Sequence, residues 1–141
     1  MKRLPAPVVV SMFCWVCLVV TGCQERPQDG LDALLQASQR KDAEAAWRCF
    51  DAPSRAMLRD TAAIMRQEGK LEGSAKTHLL DGFVPQGISS IEVLHKDTRE
   101  ALLLLTDFDG NTQRITMRWE DAHWRLHLPG ADPQPSTTLT F

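Results

Sequence analysis

The sequence predicts an α+β fold, with N-terminal helices packed on one face of a C-terminal antiparallel β-meander. Two observations predict it. Through residues 31–80 apolar side chains recur at helical spacing, and from residue 91 to residue 128 they alternate with polar ones. Turn-forming clusters at Asp97-Thr98, Asp107–Asn111 and Glu120–Ala122 divide the second stretch into strands. Helices first and strands afterwards, without regular alternation, argue against a parallel α/β sheet. A chain of 141 residues holds one such domain.

The first segment of the chain is a targeting signal rather than part of that domain. Lys2 and Arg3 precede thirteen uncharged residues, 8–20, rich in Val. A bilayer-spanning helix takes about 20 apolar residues, so a run this short fits the core of a secretory signal. Val20-Thr21-Gly22-Cys23 follows. This segment resembles a bacterial lipobox, with an aliphatic residue three before the cysteine and a small one next to it. The resemblance implies that residues 1–22 are a lipoprotein signal peptide and that Cys23 Sγ carries a diacylglyceryl group. Residues 23–30 then form a polar lipidated tether. Gln24 stands where an Asp would favour retention in the inner membrane. By that analogy the chain is secreted and anchored to the outer membrane, facing the periplasm or the cell surface. Two acyl chains hold a protein stably, whereas one binds only marginally.

Cleavage would remove Cys14 and Cys17, so their C-x-x-C spacing carries no metal or redox reading. Cys49 would then be the only thiol besides the lipidated one, and no internal disulfide is available. Its setting, Ala45-Ala46-Trp47-Arg48-Cys49-Phe50, predicts a buried small hydrophobe.

The folded domain is expected over residues 31–128. Leu31, Leu34, Leu35 and Ser38 follow an i, i+3, i+4, i+7 pattern for the first helix. Asp42 is placed to cap a second, carrying Ala43, Ala46, Trp47 and Phe50 on one face. Pro53 suits a first helical position, and Ala56, Met57, Ile64 and Met65 continue that helix until Gly69 and Gly73. Ser74 caps one further turn through Leu79 and Leu80. Among the strands, Ile91 and Val93 alternate with polar neighbours, and residues 101–105 form a continuous apolar run expected to be buried on both faces. Ile115, Met117 and Trp119 then point inward, as do Trp124, Leu126 and Leu128. Arg114, Thr116, Arg118, His123, Arg125 and His127 point outward. Residues 129–141, rich in Pro and Thr, are expected to be a disordered tail.

The capped helix from Asp42 through Trp47, and the closing hairpin with its Trp119-Glu120-Asp121-Ala122-His123-Trp124-Arg125-Leu126 stretch, resemble small NTF2-like (nuclear transport factor 2-like) lipoproteins, a group without an assigned role. The resemblance spans residues 31–128 and rests on pattern alone. It implies a cone whose interior holds an apolar ligand or a catalytic site. Ketosteroid-isomerase-like members of that fold use an acidic base with a tyrosine. This chain contains no tyrosine, and its acids fall in expected turns and on helix faces, so no catalytic residue is assigned.

Other chemistry is excluded on spacing. Asp107-Phe108-Asp109-Gly110-Asn111 lacks the glycine at position six and the glutamate at position twelve of a calcium loop. His123 and His127 on one strand stand roughly 13 Å apart, too far to share an ion. No Gly-rich phosphate loop, G-x-S-x-G or H-E-x-x-H is present, so neither metal nor cofactor is expected. Without Lys2 and Arg3 the chain has 14 basic against 18 acidic residues, a net charge near −4 that argues against nucleic acid as partner.

The sequence therefore leads to a membrane-anchored envelope lipoprotein, a non-enzymatic module that binds an envelope protein. Its outward row of Arg114, Arg118, Arg125 and His127 is a candidate docking patch. The alternatives are a carrier of a small apolar ligand, in a cavity lined by Trp47, Phe83, Met117 and Trp124, and a ketosteroid-isomerase-like enzyme.

Overall fold

The computed structural model describes residues 24–133; the signal segment, the lipobox with Cys23, and residues 134–141 lie outside the described residues. The chain is α+β: four helices are followed by a four-stranded antiparallel sheet of order β1-β2-β3-β4. The helices are α1 (Pro27–Gln39), α2 (Ala43–Arg48), α3 (Ala52–Gln67) and α4 (Ala75–Gly82). The strands are β1 (Ile88–Lys96), β2 (Glu100–Asp107), β3 (Thr112–Glu120) and β4 (His123–His127).

Local chemistry sets the helix limits. Asp42, Asp51 and Ser74 each cap a helix, their side chains accepting from the backbone N–H groups of Ala45, Ser54 and Thr77. α1 ends in a Schellman turn: the Lys41 N–H reaches Ser38 O and the Asp42 N–H reaches Ala37 O, with Lys41 at φ 55°. Asp51 lies one residue before Ala52, so Pro53 occupies the second helical position rather than the first.

α1 begins at Pro27, inside the stretch expected to be tether. Pro27 and Gly30 are both buried, and Glu25 is already bonded to β4, so the stretch expected to be a tether belongs to the fold from Glu25 onward. The acidic Asp29 at the third helical position, reaching back to the Arg26 N–H, starts the helix early.

Core packing follows the two periodicities. Leu31, Leu34 and Ala37 of α1 meet Ala101, Leu103 and Leu105 of β2, Ile115 and Met117 of β3, and Trp124 and Leu126 of β4 in one cluster. Each fully buried Leu contributes about 1.5–3 kcal/mol relative to leaving it in water. The expectation that residues 101–105 are buried on both faces needs correction: Leu102 and Leu104 are only half-buried, because the helices cover one face of the sheet at β2. At the other end of the chain, Ala131 packs against the core and Asp132 is ion-paired, so residues 129–133 belong to the fold rather than to a disordered tail.

The two sheet edges differ. The segment joining α2 to α3 runs parallel to β4, with the Leu126 N–H donating to Cys49 O at 2.7 Å and the Asp51 N–H to Leu126 O at 3.1 Å. It therefore covers the β4 edge. β1 pairs on one side only among the described residues and carries register shifts at Ser89 and Leu94.

Candidate functional site

The expected outward basic row is the most altered feature. His127 is 8% exposed rather than solvated, because the start of α3 and residues 129–133 fold over that end of β4. Its partner is Asp51, which is 1% exposed. One Asp51 oxygen accepts the Ser54 N–H at 3.0 Å, capping α3. The other lies 2.7 Å from His127 Nδ1 and 3.9 Å from Arg118 Nη1. An ionised Asp51 can only accept there, which places a proton on Nδ1. His127 Nε2 faces the Asp132 carboxylate at 3.6 Å.

Arg118 and Arg125 are also neutralised. Arg118 donates to both oxygens of Asp132, at 2.7 and 2.9 Å, and approaches Glu100 at 3.4 Å. The bond to Asp132 raises the Arg118 pKa above its ordinary value and, reciprocally, holds the Asp132 carboxyl below the usual range. Arg125 donates to the Glu120 backbone oxygen and to Arg48 O. Glu120 in turn accepts from the Ala52 N–H at 2.8 Å and from Arg55 at 3.1 Å. Two carboxylates, Asp51 and Glu120, thus serve the N-terminus of α3, where the helix dipole favours negative charge. Arg114 is the one member left exposed without an ion-pair partner among the described residues.

A buried acid beside a buried histidine with a serine nearby invites comparison with nucleophilic sites. The geometry differs from one. Ser54 is fully buried, and its Oγ accepts the Leu128 N–H at 2.8 Å. The histidine nitrogen that would serve as base faces Asp132 instead. What the cluster does is join α3 to β4. The sequence places its acids in turns and on helix faces; Asp51 is one that lies in the interior. Its signal in the sequence is the Asp-x-Pro-Ser spacing at the start of α3, where the aspartate caps the helix.

A second polar cluster lies where the chain enters the fold. The Glu25 backbone oxygen accepts from Trp124 Nε1 at 2.9 Å, and its carboxylate meets His123 Nδ1 at 3.0 Å and the Trp124 N–H at 3.3 Å. Gly30 lets α1 sit directly on Trp124: a Cβ there would be 2.3 Å from Trp124 O. Trp119 packs edge-on to Trp124 with ring centroids 5.4 Å apart.

His123 and His127 serve separate carboxylates, and no cluster of three or more metal-ligating side chains occurs among the described residues. Cys49 is half-buried, donates to Ala45 O at 3.3 Å, and has its thiol pKa raised by burial. The Asp107 turn is closed by its own carboxylate, which accepts from the Asp109 and Asn111 N–H groups and from the Asn111 amide. Trp47, Met117 and Trp124 are buried in the core with Phe83 packed against it. Cys23, the expected lipid attachment, lies outside the described residues. No family model, curated protein or solved structure matches this chain.

Proposed function

We propose that this chain is a lipid-anchored lipoprotein of the bacterial cell envelope whose domain is a non-enzymatic module for binding an envelope protein. The observation that carries the reading is the junction of signal and fold. A charged start, a thirteen-residue apolar run and Val20-Thr21-Gly22-Cys23 lead directly to Glu25, whose backbone and side chain are already bonded to β4. A domain that starts two residues after the lipobox cysteine suits cleavage at Gly22. The NTF2-like cone is part of the reading, supported by the helices-first order and by the two register shifts in β1, since bulges bend a sheet. Internal neutralisation of the basic row speaks against docking through Arg118, Arg125 and His127. The edge of β1, unpaired among the described residues, suits backbone pairing with a partner strand.

The test is the intact mass of the protein extracted from membranes. A chain beginning at Cys23 and carrying a diacylglyceryl group is expected, and Cys23→Ala should accumulate as the uncleaved precursor. A mature chain with an unmodified N-terminus, or one still carrying residues 1–22 in the wild type, would refute the anchor.

A second reading, capture of a small apolar ligand, is favoured by one feature. Pro53, Ala56, Met57, Ile64, Ala131 and Pro133 line a groove of about 590 Å³ between α3 and residues 130–133. Binding of a fluorescent apolar probe that Met57→Glu abolishes would support it, and probe binding unaffected by that change would remove it.

A further inference from the structure

We propose that the entry of the chain fixes the orientation of the domain on the bilayer, so that one end of the sheet rests against the lipid headgroups. The proposal rests on the lipid-anchor reading of Cys23. Two residues of extended chain span at most about 7 Å, so the lipidated sulfur cannot be far from Glu25. Glu25 is not free to swing. Its backbone oxygen is held by Trp124 Nε1 and its carboxylate by His123 and the Trp124 N–H, and two residues later Pro27 is buried.

The strands of a meander alternate in direction, so its turns fall at two opposite ends. The β1–β2 turn at residues 97–99 and the β3–β4 turn at residues 121–122 share the end that holds His123, Trp124 and Glu25. A bond from the Trp119 N–H to Arg99 O at 2.8 Å ties the first of these turns to the end of β3 that leads into the second. The β2–β3 turn at residues 108–111 lies at the other end. β3 has nine residues, which puts about 25 Å between them. α1 runs the same way: Gly30 touches Trp124, while Leu35, Ser38 and Gln39 line a groove with Ile88 and Phe108. Phe108, at 80% exposure, therefore stands on the side turned away from the membrane.

The headgroup-facing end carries Arg26, Arg48, Lys96 and Arg99 together with Glu25, Asp29, Asp97 and Asp121, four positive charges against four negative. The short tether, rather than net attraction to anionic lipid, is what sets the orientation.

The test uses the lipidated full-length mature protein in nanodiscs of phosphatidylethanolamine and phosphatidylglycerol doped with a gadolinium-chelating lipid. Amide signals of residues 97–99 and 121–123 should lose several-fold more intensity than those of residues 108–111. Inserting a flexible Gly/Ser segment of twelve residues between Gln24 and Glu25 should even out the two sets. Uniform broadening in the wild type, stronger loss at residues 108–111, or a pattern unchanged by the insertion would overturn the orientation. The intact mass of the same sample separates the two failures. A diacylated chain with the wrong pattern overturns only the orientation; a chain without lipid on Cys23 overturns the anchor reading and the orientation with it.

Discussion

Replacing Gly30 with Ala tests how closely α1 is seated on the sheet. An added Cβ would lie 2.3 Å from Trp124 O, 2.8 Å from Trp124 Cβ and 3.0 Å from Trp124 C, where ordinary contact begins at 3.4 Å. The nearest atom belongs to the backbone of β4 and cannot rotate aside, so the first turn of α1 must lift by about 1 Å. Overpacking of this kind costs about 1–3 kcal/mol. The lift also strains the bond from Trp124 Nε1 to Glu25 O, whose loss adds about 1 kcal/mol. Ala gains up to about 1 kcal/mol over Gly in helix propensity, which offsets part of this. The expected net destabilisation is about 2–3 kcal/mol, or roughly 10 °C in Tm for a domain of this size. Urea unfolding of the soluble form starting at Gln24, followed by tryptophan fluorescence, measures it. Gly82→Ala is the control: nothing lies within 4 Å of its added Cβ, so that variant should be neutral or slightly stabilised. If Gly30→Ala proves as stable as the wild type with unchanged amide shifts around Trp124, the close approach is not real.

Three further outcomes are expected. Asp51→Ala and His127→Ala should each cost about 3 kcal/mol, since either leaves a buried partner unmatched, while the double variant should cost much less than their sum; additive losses in denaturant titrations would contradict the pairing. Ala122 sits at φ 64° after Asp121 at φ 51°, so Ala122→Gly should stabilise by about 0.5–1 kcal/mol, and a fall in Tm would count against that backbone. The carboxyls of Asp97, held by the Arg99 N–H, and Asp107, held by the Asn111 amide, titrate below their ordinary range. Their contribution is therefore complete above the unfolded value of about 4 and lost as pH falls through the lower folded values. Tm measured from acid pH up to about 6 should rise and then level off, and Asp107→Asn should flatten the rise.

What could be read from the sequence was the part governed by local repetition. The caps at Asp42 and Ser74, the inward rows Ile115-Met117 and Trp124-Leu126-Leu128, and the turn at residues 107–111 all lie within a few residues of the groups that produce them. What escaped depends on partners distant in the chain. His127 shares its outward strand parity with Arg125, yet Asp51, 76 residues away, and Asp132 enclose it. The basic row reads as unopposed because its acids stand elsewhere in the chain: Glu100 on β2, Asp132 beyond β4, and Glu120 across the hairpin from Arg125. Pro27 and Gly30 read as linker by composition, and only contact with Trp124 makes them core. Cys23 is different in kind: its signal is wholly local, and the fold enters only through the short distance to Glu25.

The packing of α1 against β4 brings the beginning and the end of the domain together. A helix that emerges first finds its sheet only when the last strand has been delivered. Until then Leu31 and Leu34 lack the β4 side of their packing, and the α2–α3 connection has no strand to pair with. Such a fold closes late and all at once. For the exported lipoprotein proposed above, a chain threaded across a membrane in extended form, that timing would let it fold only after its final strand has passed through.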